Sequence, residues 1–155
     1  MHIAIADAAI ACFEAKYRFR FWRPYTAIRR ASEDGNPQTV ADTAWLPLLW
    51  TPPDDPHPTF LIPPIPEYPS AAATIASAAA EVLATLLGDH QRFETTSPFL
   101  PGVTRHFSSV TQAAEEAGMS RVYGGIHFRR AVRDGAILGK GVGRDAARRL
   151  PRVRR

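Results

Sequence analysis

The chain has 155 residues, 45% of them apolar and 22% charged, a composition that excludes a disordered or fibrous protein and gives one domain able to own a core. Its net charge of +4 is a terminal property: residues 140–155 hold seven cations against Asp145 alone, leaving 12 cations and 14 acids for everything else. That distribution points away from a nucleic-acid partner and toward a solvated basic tail over residues 144–155.

From Ile3 to about Phe21 apolar residues recur with a helical period among alanines, predicting one amphipathic helix that ends near Arg23-Pro24. Lys16 and Arg23 are seven apart, so in a continuous helix they share a face about 10 Å apart along the axis. Cys12 lies in the same stretch, is expected as a small buried hydrophobe, and as the one cysteine excludes an intrachain disulfide. Pro24 can open a second short helix through Tyr25, Ala27 and Ile28.

Residues 33–69 contain ten of the fourteen prolines, a density that excludes a helix. Trp45, Leu46, Leu48, Leu49, Trp50, Phe60, Leu61 and Ile62 make this stretch too apolar for a free linker, so it is expected to pack across the helices and lead into a site. Ser70 to about Leu87 is the clearest helix, alanine-rich and capped by Gly88, and its first turn presents free amides and the positive end of the helix dipole. A further helix is expected from Ser109 to Ala117, with Ser109 and Gln112 spaced as a capping box and Gly118 as its stop, and a last one from about Tyr123 to Arg149. No useful strand-period segment is evident, which makes the fold class all-α. No apolar run approaches the roughly 18 residues of a membrane span, and the start lacks the order of a signal peptide, so the chain is expected to be soluble.

Three patterns carry chemistry: Lys16-x6-Arg23-Pro24, then Glu67-Tyr68-Pro69-Ser70 opening an alanine-rich helix, then Ser120-Arg121-x5-His127. In order and inner spacing they resemble the tripartite signature shared by vanadium-dependent haloperoxidases and type 2 phosphatidic acid phosphatases, the similar segments running from about Ile5 to Gly143. The resemblance implies a helical bundle over residues 1–143, incomplete at its N-terminal side relative to longer family members. It also implies a site for vanadate, or alternatively phosphate, in which Lys16, Arg23, Ser70, the Ala71 amide and Arg121 hold the oxyanion. His127 is implied to ligate vanadium or, in the phosphatases, to attack phosphorus. These residue types suit an oxyanion, since two guanidinium groups give paired charge-assisted hydrogen bonds and an ammonium gives a point charge.

Two departures bear on activity. Family members carry a histidine, the general acid and base, where this chain has Ala72, which predicts a site that binds better than it turns over. Many also carry an aspartate four residues after the final histidine; here that position is Ala131, on the same helical face, so imidazole orientation is expected from a backbone carbonyl or from Asp134. This weakens the phosphatase reading more, because a nucleophilic imidazole needs its second nitrogen held. A third departure is extent: the first helix is expected to show an apolar surface covered by a partner chain, as in a homo-oligomer, or by missing N-terminal helices.

The other features read as ordinary. His2, His57, His90 and His106 lack metal-ligand spacing and are expected on the surface or in loops, although His57 and His106 are the positions from which a substitute acid and base would come. Gly139-Lys140-Gly141-Val142-Gly143 lacks the strand and order of a phosphate loop and reads as a flexible helix end. The expected function is therefore a vanadate-binding haloperoxidase that uses hydrogen peroxide to oxidise a halide, bromide being the first choice, weakened by Ala72. The alternatives are an acid phosphatase hydrolysing phosphate esters through His127, and an inactive oxyanion-binding or assembly module. Ile65 is the residue singled out for halide preference.

Overall fold

A computed structural model describes residues 1–48, 62–98 and 100–149. The elements are α1 (His2–Phe19), α2 (Pro24–Arg29), a short 3-10 turn (Ala31–Glu33), α3 (Ala71–Leu87), β1 (Phe93–Ser97), β2 (Leu100–Phe107), α4 (Val110–Tyr123) and α5 (Arg129–Arg148). The Pro-rich stretch is irregular where it is described; Leu49, Trp50, His57, Phe60 and Leu61 lie outside the described residues.

Helix α3 is central and packs against α1, α4 and α5, most extensively against α5. What allows this is a set of small-residue stripes with a spacing of four. On α1 the buried face is Ala4, Ala8, Cys12 and Lys16. On α3, Thr74, Ala78 and Val82 continue the line begun by the buried cap Ser70. On α5 it is Ala131, Gly135, Gly139 and Gly143, in step with His127 before the helix. Residues four apart lie one above another on a helix, so each stripe is a flat, narrow seam on which a neighbouring backbone can lie close.

Three of the four glycines of α5, Gly135, Gly139 and Gly143, are therefore contact residues and not a flexible end, while Gly141 faces open space. A Cβ on Gly135 would stand 2.8 Å from the Ser70 carbonyl oxygen, on Gly139 2.1 Å from that of Thr74, and on Gly143 2.6 Å from that of Ala78. Gly118 likewise does not stop its helix: α4 continues to Tyr123, and a Cβ at Gly118 would meet Val132 at 3.0 Å and Ala73 at 3.3 Å. The tertiary gain from close packing outweighs the helix penalty of glycine, about 1 kcal/mol.

The expected first helix ends two residues early, at Phe19, because Arg20 takes the left-handed conformation that closes a helix (φ 47°). Large apolar side chains of α1, among them Ile3, Ile10, Tyr17 and Phe19, point outward, so the helix has a small-residue buried face and an exposed apolar one. At α4 half of the capping box forms: Ser109 Oγ accepts from the Gln112 amide at 3.0 Å, while Gln112 Oε1 accepts from the amide of Ser108, one residue ahead of the cap, at 2.7 Å.

One element has no signal in the sequence pattern. Strands β1 and β2 pair antiparallel, Phe93 with Phe107, Glu94 with His106 and Thr95 with Arg105, with an irregularity at Thr96/Ser97. Both strands are exposed on nearly every residue, so neither shows the alternation of a half-buried strand, and the Phe93–Phe107 ring contact at 5.3 Å is their main packing. The fold is a mostly helical bundle with this small two-stranded sheet, and no helix among the described residues is long and apolar enough to cross a membrane.

Candidate functional site

The C-terminal end of α1 and the N-terminal ends of α3 and α5 meet at one end of the bundle, so the three stripes finish in Lys16, Ser70 and His127. Lys16 is fully buried, and so are Ser70 and Glu67. Charged side chains are almost never buried to this degree unless paired. Lys16 Nζ donates to the carbonyls of Pro66 at 2.8 Å and Glu67 at 3.0 Å.

Arg23 reaches the same segment by a different route from the one expected. It does not lie on α1: the helix has ended, and Arg23 is the N-cap residue of α2, with Pro24 at the first helical position. Its Nε donates to the Ile65 carbonyl and its Nη1 to the Ile126 carbonyl, both at 3.0 Å. The side chain thereby joins the Pro-rich loop to the turn that carries His127. A cavity of about 380 Å³, lined by Trp22, Arg23, Ile65 and Pro66 among others, opens on this side.

The second motif is fixed by backbone geometry. Ser70 caps α3, its Oγ facing the Ala73 amide at 3.5 Å, and its own amide donates across to the Ala131 carbonyl at 3.0 Å. The hydroxyl proton can still be given to an anion, and the Ala71 amide belongs to the first helical turn, whose donors have no partner within the helix. Ala72 is partly exposed in that same turn.

In the third motif, His127 sits in the turn between α4 and α5, where Gly125 takes a positive φ of 76°. The amides of Ile126 and His127 both donate to the Arg121 carbonyl, at 3.1 and 3.2 Å, which folds the turn back on the helix end. Arg121 Nε is buried and has no hydrogen-bond partner among the described residues.

The partner of the imidazole is a residue that the motif spacings do not indicate. Glu67 Oε1 lies 2.7 Å from His127 Nδ1 and accepts from the Phe128 amide at 3.0 Å. Ala131 cannot serve, having no acceptor on its side chain, and Asp134 is engaged elsewhere, accepting from the Tyr68 hydroxyl at 3.0 Å and pairing with Arg133 and Arg130. The sequence does hold a signal for Glu67: an isolated carboxylate in an apolar Pro-Ile-Pro-Glu-Tyr-Pro run. His106 pairs with Glu94 across the exposed strands β1 and β2, at a distance of 3.3 Å.

Burial sets the electrostatics. It holds the Lys16 ammonium down to about 8, with the charge of Arg23 adding to the fall and Cys12 and Glu67 opposing it. It also pushes the His127 imidazole below its ordinary value, against the pull of the Glu67 carboxylate. Lys16 and Arg23 gather with His127 around the buried Glu67 carboxylate, and two buried atoms, Arg121 Nε and Glu67 Oε2, lack a hydrogen-bond partner among the described residues. Buried cations and an unpartnered guanidinium N–H are the donor types that suit an anionic acceptor.

A pH dependence follows. If the Lys16 ammonium holds an oxyanion, sulfate, which does not titrate near neutrality, should bind about tenfold more weakly per pH unit above about 8, where that group deprotonates. Burial pushes the nearby Cys12 thiol up, so its ionisation does not create the fall. Calorimetric titrations from pH 7 to pH 10 check this, and Lys16→Met should flatten the profile.

The comparisons bear on family and fold. Residues 1–155 match the family described as the VCPO second helical-bundle domain. The vanadium chloroperoxidase of Curvularia inaequalis is 27% identical over 164 residues, covering 82% of this chain and 26% of that protein. Among solved structures, a bacterial vanadium-dependent iodoperoxidase is similar with a TM-score of 0.77 and 36% identity, over 96% of this chain and 32% of the other. A holo-type bacterial vanadium-dependent chloroperoxidase shares the fold, with a TM-score of 0.68 and 24% identity over 94% of this chain and 33% of the other. The chain thus spans about a third or less of the length of these relatives. It belongs to the vanadium-dependent haloperoxidase family, as the second helical-bundle domain.

Proposed function

We propose that this domain binds vanadate at the end of the bundle, and that it serves peroxide-dependent halide oxidation with turnover weakened by Ala72. The observation that carries this reading is the grouping of buried Lys16 and Arg23 with His127 around Glu67, while Arg121, whose carbonyl holds the His127 turn, has a buried Nε lacking an acceptor among the described residues. Lys16 and Arg23 neutralise oxyanion charge, Ser70 and the Ala71 amide add donors at the helix start, and His127 offers the ring nitrogen not taken by Glu67. Vanadate, when bound, supplies a Lewis-acid centre that activates peroxide. In the overall reaction the halide gives two electrons to hydrogen peroxide, one proton is consumed, and hypohalous acid and water result. Ala72 has no proton to exchange, so that transfer falls to solvent.

Phosphate-ester hydrolysis is the second reading, and one observation favours it more than the residue order does. The Glu67–His127 contact at 2.7 Å holds the second imidazole nitrogen, which a nucleophilic histidine requires. One assay series separates the two: oxidation of iodide, bromide and chloride with vanadate and peroxide, beside hydrolysis of a phosphate monoester without vanadate. Halide oxidation that depends on added vanadate and is lost in Arg121→Ala supports the first reading. Hydrolysis lost in His127→Ala, without halide oxidation, supports the second.

A further inference from the structure

We infer that Glu67 is the positioning residue of His127, holding the imidazole as its Nδ1–H tautomer so that the Nε2 lone pair faces the oxyanion site. The inference rests on the vanadate reading above for its functional meaning, but its structural basis is independent of any ligand. The Phe128 amide, 3.0 Å from Glu67 Oε1, can only donate, so this oxygen is an acceptor. The same oxygen is 2.7 Å from His127 Nδ1, and an ionised carboxylate there places the proton of that contact on nitrogen.

Backbone bonds fix the residue that carries this carboxylate, and Oε1 is the carboxylate oxygen that is bonded, Oε2 having no partner among the described residues. Glu67 is fully buried, its amide donates to the Phe21 carbonyl at 2.9 Å, and its own carbonyl accepts from Lys16 at 3.0 Å. One residue thus ties the segment before α2, the buried ammonium and the imidazole together. Two other side chains bear on the choice: Ala131 has no acceptor, and Asp134 is occupied by Tyr68. Metal-binding histidines commonly have their second nitrogen held in this way, and loss of the holding group costs about 10- to 100-fold in metal affinity.

Long-range proton–nitrogen correlation spectra of the ¹⁵N-labelled chain without vanadate read the tautomer directly, with His127→Gln giving the assignment. The native chain should show Nδ1 protonated and Nε2 bare. Glu67→Gln should keep this form, because the Phe128 amide selects the amide oxygen for the acceptor position. Glu67→Leu should shift His127 toward the Nε2–H form and weaken vanadate binding about 10- to 100-fold. A native spectrum with Nε2 protonated overturns the inference, as does Glu67→Leu with tautomer and affinity unchanged. Should Glu67→Leu fail to fold, the native and Glu67→Gln spectra decide. If the tautomers behave as expected and vanadate binds none of the proteins, the positioning role stands and the vanadate reading falls.

Discussion

Ala72→His should raise the rate of vanadate- and peroxide-dependent halide oxidation by about 10²- to 10⁴-fold, the usual contribution of a positioned general acid and base. That range corresponds to roughly 3 to 5 kcal/mol of barrier. The position is in the first turn of α3, two residues after the buried cap Ser70, and its partial exposure leaves room for an added side chain. Vanadate affinity should change far less than rate, since Lys16, Arg23 and Arg121 are untouched. A rate unchanged by histidine, with affinity intact, would mean that position 72 does not face the reacting atoms. Steady-state assays across pH 5 to 8 add a second readout, because an acid and base titrating near neutrality should introduce a pH dependence the native chain lacks.

The second large effect concerns stability. Gly139→Ala should destabilise the fold by about 3 kcal/mol, the upper part of the range for overpacking, because its Cβ would lie 2.1 Å from the Thr74 carbonyl oxygen. That neighbour is backbone of α3 and has no rotamer to change. Relief requires α5 to move off α3, and the same seam sets where His127 stands relative to Ser70, whose amide bonds to the Ala131 carbonyl at 3.0 Å. Vanadate affinity should therefore fall together with stability. Gly141→Ala is the control: nothing lies within 4 Å of its Cβ, and alanine should stabilise the helix by about 0.5–1 kcal/mol. Urea denaturation of the three proteins measures both effects, and equal stabilities would contradict the packing account.

These outcomes bear on which parts of the molecule are legible in its residue order. Lys16, Ser70 and His127 are readable as candidate positions because each falls in a motif with fixed inner spacing, and their stripes of small residues bring them to one end of the bundle. The route taken by Arg23 is not, since helical period alone carries α1 through to position 23, while the chain leaves the helix at Arg20 in a conformation that arginine rarely adopts. Gly118 and Gly139 mislead because glycine marks both helix ends and close helix contacts, and only the identity of the neighbouring helix distinguishes them. The paired strands β1 and β2 carry no alternation because little of them is buried.

Glu67 illustrates the opposite limit. Its carboxylate meets an imidazole 60 positions away, and no local pattern encodes a pairing of that range. Spacing within the final motif draws attention to Ala131 and Asp134 instead, because helical period extends the last helix back through His127. Once the turn at Gly125 places the histidine before α5, its ring is presented to the loop ahead of α3. The Pro-rich segment, hard to read as structure, supplies through residues 65–67 the acceptors for Lys16, Arg23 and His127.

Calorimetric titration of vanadate into the native chain and Arg121→Ala at pH 7 tests the central claim, that this end of the bundle is an oxyanion site. A single site in the native chain, weakened at least tenfold when Arg121 is truncated, is the predicted result. No binding by the native chain, or equal binding by both proteins, would contradict it.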